Sequence, residues 1–454
     1  MVDLIANQRA FFNTNETKET DFRIKQLKKL KTILKQNEDK LNTAIYEDFG
    51  KSEYETYLSE LLLTYQELND FIKKIKSWSK KKRVRTNLAN FPAKSYIIPE
   101  PLGVTLVIGA WNYPIQLSLV PAITALAAGN TVVLKPSELP NKTAAVLAEI
   151  INSNFSKEYF CVVEGGIPET TALLKQKFDK IFFTGSSTVG KIVYKAAAEH
   201  LTPVTLELGG KNPTFVFADC NLKVTAQRIV WAKYLNAGQT CVAPDYILVE
   251  KSIEDAFLSE VKKEIDTRYK LTDDIKDNYL RIINEKNFDR LTAFIQPEKV
   301  YCGGITNKKN RFISPTVLTN VSFDDEIMKD EIFGPILPVI PFENLDAMIQ
   351  KVKENPKPLS CYVYTKNRKV VSKLLNEISF GGGAINESIM HLTNSKLPFG
   401  GVGFSGIGSY HGEAGFRTFS HYKSILDKPF WLEPSLKYTP YTLKKLNLFK
   451  FLFE

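Results

Sequence analysis

The sequence predicts an α/β protein with two doubly wound parallel-sheet domains, for three reasons. Its 454 residues exceed what a single hydrophobic core normally supports. Between residues 104 and 208, short apolar strand patterns alternate with helical patterns. A second mixture of helix and strand signals occupies residues 209–385. Such alternation is typical of parallel sheets covered by helices on both faces, and right-handed crossovers make these sheets doubly wound.

The first 80 residues are predicted to be helical, because apolar residues recur there at helical spacing between lysines and glutamates. These apolar positions are Leu27, Leu30, Leu34, Leu41 and Ile45. The polar run at 79–85 marks a boundary, and a short extended segment follows it at 95–99.

Five strands of the first sheet are predicted from apolar runs at 104–108, 131–134, 161–163, 181–183 and 204–206. Helical patterns lie between them, at 115–128, 138–151, 169–176 and 188–199. Ligands of doubly wound sheets bind beyond the carboxyl ends of the strands. Asn112, Lys135, Gly185 and Glu207 each lie within a few residues of such an end. We therefore expect these four residues to converge on one edge of one sheet.

The composition excludes several classes of protein. An apolar fraction of 44% and a charged fraction of 24% are those of an ordinary globular protein. No run of about 18 apolar residues predicts a membrane-spanning helix, and the N-terminus lacks the pattern of a secretory signal. The five cysteines are widely spaced and odd in number, which argues against a disulfide framework or a zinc site and favours a cytoplasmic location.

The net charge of +10 comes from 60 basic and 50 acidic residues. Lysines cluster in three segments, which we interpret as solvated helix faces. Attraction to anionic lipid or nucleic acid is the alternative. Because the sequence has no aromatic-basic RNA motif and no zinc finger, we expect no nucleic-acid partner.

Cys241 is the predicted nucleophile. Turn-forming residues flank it on both sides, in Gly238-Gln239-Thr240 and Val242-Ala243-Pro244. A cysteine at a loop-to-helix transition has backbone N–H groups that lower the pKa of its thiol. The alternative is a buried cysteine with a packing role only. The other four cysteines have no acid or base motif beside them.

Two polar residues at strand ends are candidates to work with this thiol. Glu207 lies between two leucines, where burial would raise its pKa and suit it to act as a general base. A thiol and a carboxylate base together can make and break thioesters. The alternative for Glu207 is an ion pair with Lys211. Asn112 follows the first strand and can donate to an oxyanion, or it can simply close a turn before Pro114.

The segment Phe183–Gly190 reads as a strand, a glycine turn and the start of a helix, which is an architecture that binds phosphate. It is not a Gly-x-Gly-x-x-Gly motif, and Ser186 or Ser187 could instead cap the helix. Lys135-Pro136-Ser137-Glu138 offers a cation and a carboxylate that could bind ribose hydroxyls, although Ser137 is also a plausible helix cap.

Taken together, these segments resemble the aldehyde dehydrogenase superfamily over nearly the whole chain. Nine motifs carry the resemblance: Pro101-Leu102-Gly103, Trp111-Asn112-Tyr113-Pro114, Ala128-Gly129-Asn130, Lys135-Pro136-Ser137-Glu138, Phe183–Gly190, Glu207-Leu208-Gly209-Gly210-Lys211, Gly238-Gln239-Thr240-Cys241, Glu331-Ile332-Phe333-Gly334-Pro335 and Pro398-Phe399-Gly400-Gly401. Residues 202–205, 241–246 and 408–412 are most similar to the class 3 or fatty-aldehyde branch. The last eighteen residues fit the family pattern poorly.

The resemblance implies NAD-dependent oxidation of an aldehyde to a carboxylic acid, with NADP as a possible cofactor. It implies that Cys241 attacks the aldehyde, that Asn112 and the Cys241 N–H hold the oxyanion, and that Glu207 activates the water that hydrolyses a thioester. It implies a cofactor site formed by Lys135, Glu138, Gly185, Ser186, Gly190, Glu331 and Phe333. We expect a preference for NAD, because the Glu138 carboxylate would repel a 2′-phosphate. No metal is expected.

The resemblance also implies a domain organisation and a homodimer. We expect a Rossmann-like cofactor domain at 1–80 and 99–208, and a catalytic domain at 209–385. A β bridging or oligomerisation arm is expected at 81–98 and 386–435, followed by a tail at 436–454.

Two rival functions stay open. One is an acylating relative, in which coenzyme A or phosphate takes the acyl group in place of water, although Glu207 favours water. The other is a catalytically silent binding protein on the same fold, which the presence of Cys241, Glu207 and Asn112 disfavours. The substrate is expected to be an apolar aldehyde, either medium- or long-chain or aromatic.

The tail is rich in aromatic and aliphatic residues among lysines. It is predicted to be either a docked or frayed C-terminal helix or a helix that lies on a membrane surface and collects apolar aldehydes. The second possibility would make the protein peripherally membrane-associated.

Overall fold

The computed structural model describes residues 1–269 and 279–453 and confirms the predicted α/β class. Two large sheets, both mainly parallel, are each covered by helices. The helices are Val2–Asn13, Thr20–Gln36, Glu38–Phe49, Glu53–Thr56, Leu62–Trp78, Gln116–Ala128, Asn141–Asn152, Ile167–Leu174, Ser187–Ala198, Leu222–Tyr234, Glu254–Arg268, Glu285–Thr292, Glu326–Lys329, Leu345–Glu354, Arg368–Glu377, Gly412–Thr418 and Leu443–Phe453. A π-helical turn, Tyr57–Leu61, joins the fourth and fifth of these helices.

The first sheet has six strands, in the order Gly406–Ile407, Val204–Glu207, Lys180–Thr184, Val104–Ile108, Thr131–Lys135 and Phe160–Val162. All neighbouring pairs are parallel except the first. The chain order reverses on either side of Val104–Ile108, because its two neighbours are reached by crossovers in opposite directions. This reversal is the topological switch point, where a cleft opens beyond the carboxyl ends of the strands.

The strand Val104–Ile108 shows why the predicted bounds agree with the structure. Every one of its residues is buried, as in the neighbouring strands Thr131–Lys135 and Lys180–Thr184. A parallel strand covered on both faces needs an uninterrupted apolar run, and this run is the signal that the sequence presents. The following helix, Gln116–Ala128, is also buried along its whole length and ends at Gly129, whose φ of 98° is the left-handed conformation that glycine adopts easily.

The second sheet has seven strands, in the order Val300–Cys302, Thr316–Leu318, Ile336–Phe342, Tyr246–Glu250, Pro213–Val216, Ser360–Tyr364 and Gly382–Ile385. Only the first pair is antiparallel. All seven strands lie within residues 209–385, the segment predicted to form the catalytic domain.

A third sheet is antiparallel and contains Lys82–Val84, Lys94–Pro101 and Ser420–Asp427. Its strands come from the two segments predicted to form the bridging arm, with Lys94–Pro101 running three residues beyond 98. One short strand of the same predicted region, Gly406–Ile407, pairs with Val204–Glu207 in the first sheet. A separate two-stranded hairpin joins Thr306–Asn307 to Phe312–Ile313. The boundaries given above for the domains stay a prediction.

The C-terminal helix Leu443–Phe453 has no buried residue. Within the part of the chain that the structure describes, no helix has the length and apolar character needed to cross a bilayer.

Candidate active site

A cavity of about 910 Å³ opens at the carboxyl edge of the first sheet. It brings together nine of the ten residues singled out in the sequence, which are Asn112, Lys135, Glu138, Gly185, Ser186, Glu207, Cys241, Glu331 and Phe333. The tenth, Gly190, does not line the cavity and packs against Leu208 behind it. Residues that follow four different strands therefore reach one space, as the topology predicts.

The loop that carries Cys241 has an unusual backbone. Asn236, Ala237 and Gly238 all have positive φ angles, of 55°, 49° and 70°. Two of the three are not glycine, and a left-handed conformation costs such residues free energy unless their surroundings hold it. The Asn236 side chain supplies part of that support, because its Nδ2 donates to the carbonyl oxygens of Gln239 at 3.0 Å and Asn112 at 2.9 Å.

Gln239 joins the same loop to the segment at 281–283. Its Nε2 donates to the Arg281 carbonyl at 3.1 Å, and its Oε1 accepts the Ile283 N–H at 3.0 Å. Gln239 is fully buried, so these hydrogen bonds are shielded from water. The Gly-Gln-Thr sequence before Cys241 is therefore a structural anchor as well as a turn.

The Cys241 thiol is partly exposed at the base of the cavity. Burial raises its pKa, and the nearby carboxylates of Glu331 and Glu207 raise it further. The N–H groups of Cys241 and Val242 lower the pKa, as expected from the loop position, but burial outweighs them. The resting side chain is therefore a neutral thiol that must lose its proton during any attack.

Glu207 ends the strand Val204–Glu207, and its side chain is 3% exposed. Among residues 1–269 and 279–453, neither carboxylate oxygen has a hydrogen-bond partner. The alternative pairing with Lys211 does not form, because Lys211 Nζ lies 2.6 Å from Asp245 Oδ2 and donates to two backbone carbonyls. Burial therefore raises the pKa of Glu207 well above its ordinary value. A carboxylate that binds its proton more tightly than an exposed glutamate is a stronger base once it is ionised.

The Asn112 side chain is buried where the first strand gives way to the helix Gln116–Ala128. Its Nδ2 donates to the Gln239 carbonyl at 3.0 Å. This hydrogen bond places the amide beside the loop of Cys241, two residues before the thiol. The amide is thus positioned as a donor at the wall of the cavity.

The other half of the cavity has the features that a dinucleotide requires. Ser186 is the N-cap of the helix Ser187–Ala198, and its hydroxyl accepts the Val189 N–H at 3.4 Å. The capping alternative is thus observed, and it leaves the N-terminus of this helix at the cavity, where phosphate binds readily. A Cβ at Gly190 would lie 2.8 Å from Leu208 Cδ2, so glycine lets the helix pack closely on the sheet.

Two polar side chains lie beside that helix terminus. Lys135 Nζ is buried, donates to the Pro136 carbonyl at 2.7 Å and lies 3.5 Å from Glu138 Oε2. Burial lowers the pKa of Lys135, and Glu138 opposes this change. A cation and a carboxylate at this distance suit the hydroxyl groups of a ribose. The residues present therefore fit a nucleotide with a phosphate and a ribose.

Glu331 and Phe333 lie between the two halves of the cavity. The Glu331 carboxylate packs so closely on Gly209 that a Cβ there would lie 1.9 Å from Oε2. Burial raises the pKa of Glu331 to about 8. The Phe333 ring meets the Trp111 ring edge-on, with 5.2 Å between centroids. These contacts restrain both side chains where they line the cavity that holds Cys241.

Several apolar residues that line the same cavity were not recognisable from the sequence. They are Leu58, Leu62, Leu63, Trp231, Leu235, Ile389, Met390 and Leu392. They come from three separate parts of the chain, and their helical spacing in the sequence is equally typical of ordinary core positions.

A model of the aldehyde dehydrogenase family matches residues 3–425. The chain belongs to the aldehyde dehydrogenase family. It is 46% identical over 437 residues to the 4,4'-diaponeurosporen-aldehyde dehydrogenase of Staphylococcus aureus, with 96% of this chain and 95% of the relative covered. It is 44% identical over 435 residues to the dimeric NADP-preferring aldehyde dehydrogenase of Rattus norvegicus, with 96% of each covered.

Solved structures agree with this assignment. The substrate-bound state of Staphylococcus aureus AldH has a TM-score of 0.97 at 45% identity and covers 100% of this chain and 99% of its own. An aldehyde dehydrogenase of Mycobacterium tuberculosis complexed with NAD+ has a TM-score of 0.83 at 28% identity, with 95% and 90% covered. The predicted class 3 resemblance is confirmed, and this aldehyde dehydrogenase is an NAD(P)-dependent enzyme that oxidises aldehydes to acids.

Proposed function

We propose that this aldehyde dehydrogenase acts through a covalent thioester on Cys241, which water hydrolyses with Glu207 as the base. The observation that carries the proposal is the meeting of Cys241, Glu207 and Asn112 in one cavity, although each follows a different element of the fold. A thiol, a carboxyl group of raised pKa and an amide donor are the three groups that such chemistry needs.

In the first step the Cys241 sulfur adds to the aldehyde carbon as the thiol passes its proton to solvent water. The carbonyl oxygen becomes an oxyanion, which the Asn112 amide and the Cys241 N–H stabilise. Bound NAD(P) supplies the hydride acceptor, because no side chain can accept a hydride. Once the hydride has left, Cys241 carries a thioester. Glu207 then removes a proton from water, which attacks the thioester and releases the carboxylic acid and the free thiol.

We propose that Lys135, Glu138, Gly185, Ser186, Gly190, Glu331 and Phe333 form the cofactor site. Lys135, Glu138 and Glu331 would hold ribose hydroxyls, the glycine turn and Ser186 would hold the pyrophosphate, and Phe333 would lie beside the nicotinamide. NAD is the preferred cofactor in this proposal, because the Glu138 carboxylate would repel a 2′-phosphate. The ion pair between Lys135 and Glu138 weakens that repulsion, which leaves NADP usable.

Replacement of Asn112 by alanine should lower kcat by about 10²–10³-fold, which is the loss expected when one oxyanion donor is removed. The KM for the aldehyde should change far less, because the oxyanion forms only after binding. Steady-state kinetics with one aldehyde would measure both values. An unchanged kcat would remove Asn112 from the proposed mechanism.

The substrate is proposed to be an apolar aldehyde. The cavity that holds Cys241 is also lined by leucines, Trp231 and Met390, and burial of each substrate methylene against such a surface contributes favourable free energy. NADH formation along a series of straight-chain aldehydes should show kcat/KM rising with chain length by a few fold per methylene, until the cavity is filled. The series, repeated with NADP, also measures cofactor preference. A flat profile would contradict an apolar subsite.

We propose that the protein is cytoplasmic and that its C-terminal tail contacts a membrane surface. In the helix Leu443–Phe453, Leu443 is 78% exposed and Phe451 83%, and the tail also carries lysines that anionic lipid would attract. The intact protein should float with vesicles that contain anionic phospholipid, whereas a chain ending at Ser435 should not. Equal flotation of the two proteins would end this proposal.

We further propose that the protein is a homodimer. A relative of this length and similarity is named dimeric, and the three-stranded antiparallel sheet leaves Ser420–Asp427 as an edge strand that a second copy could approach.

A further inference from the structure

A buried ion pair joins Lys51 to Glu60, outside the motifs used so far. Lys51 Nζ lies 2.8 Å from Glu60 Oε1, and both side chains are 0% exposed. Burying two charges costs several kcal/mol of desolvation for each ion, and an apolar pair of similar volume would often be as stable. Stability alone therefore does not explain why the fold holds this pair, and its contacts point to another role.

The helix that carries Glu60 contains the π-helical turn Tyr57–Leu61. In an uninterrupted α-helix, Glu55 and Glu60 would point about 140° apart, since each residue turns the helix by about 100°. The extra residue of a π-helical turn brings positions five apart towards the same face. Lys51 and Glu60 are accordingly the two charges that act on the Glu55 carboxylate, whose pKa burial raises and Lys51 lowers.

Glu60 holds the segment that carries Asn112. Its Oε2 accepts the N–H groups of Ile115 at 2.7 Å and Gln116 at 3.3 Å, which are the first donors of the buried helix Gln116–Ala128. These donors have no partners within the helix itself, so a carboxylate stabilises them strongly. Asn112 lies only three residues before Ile115.

Lys51 contacts the same segment from its other side. Its Nζ lies 4.6 Å from the centroid of the Tyr113 ring, within the range of a cation–π interaction. The Tyr113 hydroxyl in turn lies 2.6 Å from Thr240 Oγ1, the residue directly before Cys241. The Tyr113 side chain therefore connects the ion pair to the loop at 236–241, which we call the nucleophile loop.

Glu55 reaches the nucleophile loop directly. Its Oε1 accepts the N–H of Asn236 at 2.7 Å. Asn236 is the first of the three consecutive residues with positive φ before Cys241, and its own side chain donates to the Asn112 carbonyl. A carboxylate at this N–H helps to hold a backbone conformation that the residue would otherwise leave.

We propose that Lys51, Glu55 and Glu60 form a positioning unit that sets the Asn112 amide against the loop of Cys241. The two carboxylates hold one loop each, the π-helical turn brings them towards one face, and the ammonium group of Lys51 forms an ion pair with Glu60 and packs on Tyr113. This inference rests on the roles proposed above for Asn112 and Cys241. None of the three residues touches the aldehyde in this scheme, and they act through the two loops.

The test is a double-mutant cycle between Glu60 and Asn112. Glu60→Gln keeps the shape of the side chain and one acceptor oxygen but removes the charge and the second acceptor oxygen, so the side chain can no longer accept from both Lys51 and the Ile115 N–H. A misplacement of about 1 Å at a reacting group can cost on the order of 10²-fold in rate, so kcat should fall by about 10–100-fold while KM stays near its original value. In the Asn112→Ala background the same change should cost about threefold or less, because the amide that Glu60 positions is gone.

In Glu60→Gln the buried Lys51 ammonium group loses its ion-pair partner, so a second variant is needed to separate this effect from the loss of positioning. Lys51→Met combined with Glu60→Gln removes both charges together, so that neither is left uncompensated. Arg23→Met is the matched control, since Arg23 is a buried cation whose Nη1 donates to the Ala127 carbonyl at the opposite end of the same helix. The control should lower Tm and leave kcat unchanged, whereas the double variant should lower kcat in the folded protein.

The conformation of the nucleophile loop can be tested without an aldehyde, through the reactivity of Cys241. The rate at which iodoacetamide alkylates Cys241 should change severalfold in Glu55→Ala and stay constant in Arg23→Met. Equal losses of kcat from Glu60→Gln in both backgrounds, together with an unchanged alkylation rate in Glu55→Ala, would overturn the positioning unit. If Asn112→Ala alone keeps full activity, the proposed function fails at Asn112, and the alkylation rate then decides the positioning of the Cys241 loop by itself.

Discussion

A Cys241→Ala variant is expected to lose NADH formation by at least about 10⁴-fold, the scale seen when a catalytic nucleophile is removed. Without the sulfur there is no covalent adduct from which a hydride can leave, so neither the burst nor the steady state should survive. Stopped-flow fluorescence of NADH, with aldehyde and cofactor in excess, measures both phases in one trace.

The matched control is Cys220→Ser, because Cys220 is also partly exposed but does not line the cavity. It should keep the kcat of the parent protein. The cofactor should still bind to the Cys241→Ala variant, which tryptophan fluorescence quenching would report. Full NADH production by Cys241→Ala would refute the proposed nucleophile, whatever the control does.

Much of the candidate site could be predicted from sequence, because its signals are local. The buried strands Val104–Ile108 and Thr131–Lys135 are continuous apolar runs, and a parallel sheet places the residues after such runs at one edge. Asn112, Lys135 and Glu207 are therefore found from strand ends alone. The family resemblance added the more distant members, such as Glu331.

The partners of these residues could not be predicted, because tertiary packing chooses them. Lys211 is only four residues from Glu207 in the sequence, which favours an ion pair between them. The fold instead pairs Lys211 with Asp245, which directly precedes the strand Tyr246–Glu250. The π-helical turn at Tyr57–Leu61 could not be predicted, because its residues show the same spacing pattern as an ordinary α-helix. The pairing of Gly406–Ile407 with Val204–Glu207 could not be predicted either, because a strand of two residues is too short to show an alternating pattern.

The thiol shows how local and global effects can oppose each other. The position of Cys241 in a loop supplies two backbone N–H groups that lower its pKa, as the local sequence suggested. Burial and the two nearby carboxylates raise the pKa by more than these groups lower it. A resting neutral thiol is less reactive towards adventitious oxidants and electrophiles, because the thiolate is the reactive form. The burial that raises the pKa of Cys241 would thus also protect the proposed nucleophile.

A Glu207→Gln variant should form NADH in a rapid first turnover and then slow by about 10²–10⁴-fold, the usual contribution of a general base. The amide keeps the size of the side chain but cannot take a proton from water, so the thioester accumulates. The burst amplitude should approach one NADH per active site, and mass spectrometry of the quenched protein should find the acyl group on Cys241. Equal loss of burst and turnover would contradict a role confined to hydrolysis.

The pH dependence gives an independent check on the same residue. Burial raises the pKa of Glu207 well above its ordinary value, so this carboxyl group loses its proton, and becomes a base, at a higher pH than an exposed glutamate does. Deacylation in the parent protein should therefore speed up as pH rises and Glu207 loses its proton. This limb should vanish in Glu207→Gln, since the amide does not titrate. A rising limb of the same midpoint in the variant would assign the titration to another group.

The thioester that accumulates in the Glu207→Gln variant also tests which acceptor takes the acyl group, water or coenzyme A. In an acylating enzyme, coenzyme A would take the acyl group without help from Glu207, so adding it to the Glu207→Gln variant would restore turnover. In the hydrolytic mechanism water is the acceptor and needs Glu207 as its base, so turnover should stay slow and free acid should be the only product. Restoration by coenzyme A would move this enzyme to the acylating class, because the carboxyl group at 207 would then be dispensable for the second half of the reaction.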